Sequence, residues 1–325
     1  MKIIKPSARI MTELDKMSLA QRIEACGRLC YKSEGKVTTT SAEGFAGAMV
    51  KHRHNSTLEM APVSFLVECD EHEHTQMLSE AMPKYLVVDR VRSVIRKTGL
   101  LVSGTVRAFR EFAMTNPQCA IGRACLNELP EIFKGDLSLG RMPCDCDIRV
   151  TKLRLDEVDV LPSVVKARHR QVTVKFIVNR AVTHEIVRHR PCSFLQESQR
   201  YCRYDKDQFG NEVTFIKPIF FVDDSEEYLL WQQAMEQTER IYLKLLETSS
   251  PQAARTVLPN SCKTEIIMQA NLVEWEHFFH LRCSEAAEPS MREVTIPLRE
   301  RFCTMFPQHS FDRRMPEGWI EEQPA

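Results

Sequence analysis

Apolar residues recur at helical spacing in some stretches of this chain and alternate like strands in others, with no regular succession of the two. Helical spacing predicts helices over residues 18–30 and 41–52, the second capped by Ser41 with Phe45, Met49 and Val50 on its apolar side. Alternation predicts strands at 61–69 and 84–96 and a short one at 100–102, with Ser103-Gly104-Thr105 as a turn and helix cap before a helix at 106–114. Residues 119–133 read as a helix and 134–147 as a loop rich in Gly, Pro and Asp. Strands follow at 148–155 and 171–178, then a helix at 179–190 that Pro191 ends. Beyond it come an extended segment at 213–221, a long amphipathic helix at 225–247, a short helix at 251–258 and a strand at 264–269. Helices at 271–283 and 286–305 close the pattern before a loosely ordered tail from Pro307. No internal repeat and no linker marks a boundary. The expectation is one α+β (α/β) domain over 1–325, a mixed sheet flanked by helices.

Composition narrows the classes. Lys plus Arg and Asp plus Glu both number 44, so the formal net charge of zero argues against a nucleic-acid binder while leaving room for a local basic pocket. The amino terminus has no apolar signal core and no apolar run reaches the roughly 18–20 residues of a membrane span, so a soluble cytoplasmic protein is expected. The twelve cysteines then read as reduced thiols, with no CxxC pair. Cys144-Asp-Cys146 and Glu71-His72-Glu73-His74 are read as unmetallated, and His184-Glu185-Ile186-Val187-Arg188 ends in arginine where a zinc-protease motif needs histidine. No metal is expected. Glycine-rich nucleotide cradles are also absent, so any nucleotide is held by side chains.

One stretch concentrates the chemistry. Arg188, His189, Arg190, Arg200 and Arg203 stand among Ser193, Gln196, Ser198 and Gln199, with Phe194, Leu195, Tyr201 and Tyr204 woven through them. Guanidinium forks beside hydroxyl and amide donors suit a phosphate-bearing ligand. A turn forced by Pro191 folds the polar series back on the helix end. Cys192 and Cys202 flank this cluster, but neither is paired by sequence with a general base, so both are read as bystander thiols. Farther on, Arg255 before Leu258-Pro259 and Arg282 at the end of a helix bearing Asn271 and His277 sit in apolar surroundings, where a buried arginine needs an anionic or carbonyl partner.

Arg188-His189-Arg190, seven residues and then Ser198 match the RHR-x7-S signature, and the chain resembles the flavin-dependent thymidylate synthases. Gln196 to Tyr201, Arg255 to Pro259, Asn271 through Arg282, and His54-Asn55-Ser56-Thr57-Leu58-Glu59 are similar to that family in the same order. Ser103 to Arg110 resembles an SGN-x-RAWR segment of its longer members. The resemblance implies a homotetramer with sites built from several chains, and reductive methylation of dUMP to dTMP. Methylenetetrahydrofolate would supply the carbon, and FAD reduced by NADPH the hydride. It implies FAD contacts at His54, Ser56, Arg188, His189, Arg190, Gln196, Asn271 and His277. It implies dUMP contacts at Glu185, Arg188, Gln196, Ser198, Arg200 and Arg255, with Arg282 against the uracil as the catalytic residue, stabilising developing charge.

Val273 stands where many members carry a flavin-contacting arginine, Glu276 where a basic residue is common, and Met60 where histidine is frequent. Residues 69–169 form a long insertion relative to compact members. A nucleotide- or RNA-binding homologue that has lost flavin chemistry is the alternative expectation, and a flavoenzyme for another pyrimidine nucleotide a third.

Overall fold

Two four-stranded antiparallel sheets organise the molecule, each with its own apolar core. The computed structural model describes residues 1–70, 72, 85–91, 99–133, 148–205 and 210–311. In chain order these hold β1 (Lys2–Ile4), β2 (Ser7–Ile10), α1 (Leu19–Tyr31), α2 (Ser41–Lys51), α3 (Asn55–Leu58), β3 (Pro62–Glu68), β4 (Leu86–Val91) and β5 (Gly99–Thr105). Then come α4 (Val106–Thr115), α5 (Ala120–Asn127), α6 (Pro130–Phe133), β6 (Arg149–Lys152), α7 (Leu155–Asp159) and α8 (Ser163–His169). The remainder are β7 (Gln171–Asn179), α9 (Arg180–Ile186), β8 (Ser193–Gln196), β9 (Thr214–Ile216), α10 (Glu226–Thr248), α11 (Pro251–Ala254), β10 (Lys263–Asn271), α12 (Leu272–Arg282) and α13 (Pro289–Met305).

The sheet orders are β4-β5-β3-β6 and β8-β10-β7-β2, and β1 pairs with β9 in a separate parallel ladder. Their central parts are built alike. In the N-terminal unit the chain runs β3, β4, β5, α4, with β5 between the other two; in the C-terminal unit β7, β8, β10, α12 do the same. The registers agree. Thr105, last in β5, faces Pro62, first in β3, as Asn271 faces Gln171; Ser103 faces both Ser64 and Val87, as Gln269 faces Thr173 and Ser193. Both closing residues also cap the helix they enter, Thr105 accepting from Ala108 N at 3.2 Å and Asn271 from Glu274 N at 2.9 Å. Phe109 and Phe112 on α4, and Trp275 and Phe278 on α12, then bury the equivalent helical stripe.

The units exchange elements reciprocally. Helix α3, which leads into β3, packs on β8 of the other sheet, and α8, which leads into β7, packs on β4 and β5. Buried polar pairs sit at the same register position in each unit: Ser64 and Ser103 hydroxyls 2.6 Å apart, and Thr173 donating to Gln269 at 3.1 Å. Each is satisfied by a side chain delivered across the junction. Arg22 of α1 donates to Thr173 at 3.0 Å, to Gln269 at 3.2 Å and to the Met60 carbonyl at 3.1 Å. His169 of α8 lies 2.7 Å from Ser103 and 2.8 Å from Asp89. The carboxylate fixes the ring proton on Nε2, which leaves Nδ1 to accept from Ser103.

Several expectations are corrected. Ser103 and Gly104 are strand, not turn, because β4 pairs along them. A Cβ on Gly104 would push the Leu86 side chain aside and lie 3.1 Å from the Tyr85 carbonyl oxygen, so the close strand approach favours glycine. Ser41 does not cap α2; Thr40 occupies that position, and the Ser41 hydroxyl donates to Glu24 at 2.9 Å. The basic stretch contains β8, and residues 119–133 split into α5 and α6. Short β1, β2, α7 and α8 carry too few residues to show a period. Helices and sheet mix as expected, yet β4, β5 and β6, all within 69–169, belong to a unit that repeats the topology of the other. The acidic-histidine run other than His72, the CxC, the 134–147 loop, much of 84–96 and the tail beyond residue 311 lie outside the described residues. Among the described residues, no helix is long and apolar enough to cross a membrane.

Replacing Arg22 by Met should leave Thr173, Gln269 and the Met60 carbonyl short of a donor, lowering the urea unfolding free energy by about 3 kcal/mol. A change below about 1 kcal/mol would show that the junction is not held by this fork.

Candidate functional site

Asn179 caps helix α9, its carboxamide oxygen accepting from Val182 N at 2.9 Å. It ends at Ile186, and the turn before Pro191 throws Arg188 and Arg190 to the surface while His189 is buried. His189 is the acceptor of a tight polar knot. Arg282, at the last position of α12, donates from Nε to His189 Nε2 at 3.0 Å, from Nη1 to the Glu185 carboxylate at 2.6 Å and from Nη2 to the Glu185 carbonyl at 3.1 Å. Burial, then the adjacent guanidinium and His277, push the His189 pKa down to about 4. The imidazole is therefore neutral at pH 7 with its proton on Nδ1, and it orients the arginine. His277 stands beside it, ring centroids 6.0 Å apart.

The second group follows β8. Glu197, between Gln196 and Ser198, is buried, and its carboxylate accepts from Lys263 at 2.9 Å and Tyr204 at 3.0 Å. Two residues along β10 from Lys263, Glu265 takes Lys263 at 2.7 Å, Lys32 at 2.5 Å and Lys175. Those lysines hold the Glu265 carboxyl far below its usual range despite burial. This ionic cluster nails the loop to the sheet. Gln196, one residue before Glu197, donates to Thr183 at 3.2 Å and Thr264 at 3.3 Å. The Ser198 amide donates to the Cys30 carbonyl at 3.0 Å. Arg200 lies over the Tyr201 ring, Tyr201 meets Tyr31 edge-on, and the Tyr31 hydroxyl is 3.3 Å from His54 Nδ1.

A third feature lies between the two units. A cleft of about 720 Å³ is walled by residues of both, including Arg107, Glu59 and Thr105 on one side and Arg190, Asn271 and Glu274 on the other. Arg107 bridges Glu59 and, at 2.6 Å, Glu111. Asn271, besides capping α12, donates to the Arg168 carbonyl at 3.1 Å.

The expected residues thus fall into three neighbourhoods: Glu185, His189, His277 and Arg282; His54, Gln196, Ser198 and Arg200; and Arg190 with Asn271 in the cleft. Ser56 is exposed on α3 beside His54. Arg255 is exposed on the 3-10 turn after α11, which corrects the expectation that it is buried. Arg188, Arg190, Arg200 and Arg255 have no carboxylate partner among the described residues, whereas Arg22, Arg28, Arg107, Arg168, Arg170, Arg203 and Arg282 each have one. Four uncompensated guanidinium groups at the expected positions are what an anionic ligand would find.

Two features were missed. The lysine–glutamate cluster is foreshadowed only by Lys263 and Glu265 interrupting an apolar strand, and the cleft is invisible without the tertiary pairing. Cys192 and Cys202 are buried, which pushes both thiols up, Cys202 to about 12. Neither is a thiolate nucleophile at neutral pH.

Residues 165–308 match the model of the family described as thymidylate synthase complementing protein. The chain is similar to the flavin-dependent thymidylate synthase of Pyrococcus furiosus, 36% identical over 158 residues, covering 45% of this chain and 64% of that one. The enzymes of that name from Mycolicibacterium gilvum and Geobacter sulfurreducens are 31% and 34% identical over 147 and 122 residues, covering 40% and 37% of this chain and 56% and 51% of theirs. The chain therefore spans less than two thirds of the length of these relatives. A UMP/dUMP methylase PolB structure from Streptomyces cacaoi, bound with 5-Br UMP, aligns over 94% of this chain and 92% of its own at 12% identity. Its TM-score of 0.39 is too low to bear on fold or ligand.

Because the folded pKa of His189 lies below its unfolded value, the stability this residue contributes is present above about pH 6.5 and is lost as pH falls toward about 4. A proton NMR titration should find the His189 ring neutral until near pH 4; a midpoint near 6.5 would mean that the Arg282 contact does not persist in solution.

Proposed function

We propose that this chain, which through residues 165–308 belongs to the thymidylate synthase complementing protein family, methylates dUMP reductively to dTMP with FAD as its cofactor. Methylenetetrahydrofolate is the carbon donor and NADPH the reductant in this reading. The observation that carries it is the knot in which His189 and Glu185 fix Arg282, with the uncompensated Arg188, Arg190, Arg200 and Arg255 on the other motif positions. Arg200 and Arg255 supply cations for the nucleotide phosphate, with the Ser198 hydroxyl as a further donor. Arg188 and Arg190 serve the flavin together with His54, Ser56, Asn271 and His277, and Gln196 stands between the two ligands. The donor set fits: the cleft offers apolar walls, amide edges and a cation to a heteroaromatic ring. Bound flavin would supply the redox equivalent that the protein side chains lack.

The chain's own groups do the rest. Negative charge accumulates on the uracil N3 and carbonyl edge during reduction, and a guanidinium held there stabilises it without reorganising. Neutral His189 and Glu185 fix the plane of that guanidinium. The raised thiol pKa values argue against Cys192, Cys202 or Cys262 as a nucleophile, in keeping with the flavin route. We take the assembly to be a homotetramer with shared sites; the exposure of Arg255, unbonded to the other nucleotide residues of its own chain, supports a site completed by another copy.

Purified protein should be yellow or load with FAD, bleach with NADPH, and form dTMP from dUMP and methylenetetrahydrofolate. Arg282→Ala should reduce kcat by about a hundredfold or more while the oligomer persists. A colourless protein that cannot be loaded with FAD would contradict the reading and favour a nucleotide-binding homologue without flavin chemistry.

A further inference from the structure

We propose that the N-terminal unit forms the second wall of the flavin site, so that the cleft between the units takes the planar ring of the flavin, with Arg107 supplying a guanidinium from the side opposite Arg190. The inference rests on the flavin reading and adds to it residues that lie outside the matched segment 165–308.

The cleft sits where the two repeated units meet, and its walls are equivalent parts of each. Val87 of β4 and Ser193 of β8 occupy the same register position opposite Ser103 and Gln269. Thr105 and Asn271 are the two helix caps, and Ala108 and Glu274 are the residues whose amides they accept from. A site built this way is lined on each side by an edge strand and the first turns of a helix, and it includes Arg190 and Asn271 of the flavin reading. Its volume of about 720 Å³ lies within the usual range of cofactor pockets.

The equivalence breaks at one informative position. Two residues past the cap, α4 carries Arg107 where α12 carries the exposed Val273. The C-terminal unit thus lacks a cation at this turn, and the N-terminal unit provides one. Glu59 and Glu111 already hold the Arg107 fork, so little side-chain freedom remains to be lost on binding. Nε and Nη1 serve the two carboxylates, which leaves Nη2 as a fixed donor for a carbonyl of a heteroaromatic ring. The carboxyl groups of Glu59, Glu111 and Glu274 on the walls disfavour entry of a diphosphate. They select the ring, leaving the phosphates to the uncompensated Arg188 outside.

The test is FAD binding by fluorescence quenching, without turnover, on the full chain and on two variants. Arg107→Gln removes the cation, and Val87→Phe fills the cleft from a half-exposed edge strand should the first variant misfold. Each folded variant should bind FAD at least about tenfold more weakly, with dUMP affinity unchanged. Wild-type FAD affinity in both would overturn the inference while leaving the flavin reading intact. Failure of the unsubstituted protein to bind FAD would overturn both.

Discussion

The guanidinium of Arg22 is buried where the two sheets meet, and the architecture depends on it. It gathers a hydroxyl from β7, an amide from β10 and the carbonyl of Met60, just before β3. No apolar group could replace it without stranding those acceptors in the interior. Asp15 compensates its charge at 3.3 Å and also takes Arg170 at 2.8 Å, so the segment before α1 is tied to the start of β7. On the other side of the junction His169 performs the matching task with a neutral ring and the Ser64–Ser103 pair. Two chemically different devices thus hold equivalent positions, which keeps the sheets in one mutual placement.

That placement positions the three candidate neighbourhoods. Gln269, bound by Arg22, also donates to the Glu59 carbonyl at 2.7 Å, and both residues line the cleft. His169 precedes Arg170 and β7, and the carbonyl of Arg168 beside it receives Asn271. Farther along β10, the lysine–glutamate cluster seats the loop of Ser198 and Arg200, and the α12 end brings Arg282 onto His189 and Glu185. Arg22 and Arg170 at the junction are carboxylate-paired, whereas Arg188, Arg190, Arg200 and Arg255 have no carboxylate partner among the described residues. The division follows from electrostatics, since a compensated guanidinium has little affinity left for phosphate.

The long helices and the strands at β3, β7 and β10 were legible because each runs long enough to show its period. The motif positions were legible as well, because Arg188 to Ser198 lie within one turn-and-strand of chain. The topological repeat was not. Its halves share apolar positions such as Val63 with Val172 and Phe112 with Phe278, but almost no other identities, and the strand after Pro191 hides inside a run of charge. Arg255 was misjudged because apolar neighbours in sequence do not imply burial when the segment is a single exposed turn. Partners from distant segments, such as Lys32 and Lys175 for Glu265, leave no local trace.

A crystal structure of the protein with FAD and dUMP tests the account most directly. It should show the flavin ring between the β4–β5–α4 and β8–β10–α12 walls of the cleft, within reach of both Arg107 and Arg190, and the nucleotide phosphate on Arg200 and Arg255. Flavin bound wholly among C-terminal residues, with the cleft between the units empty, would contradict it.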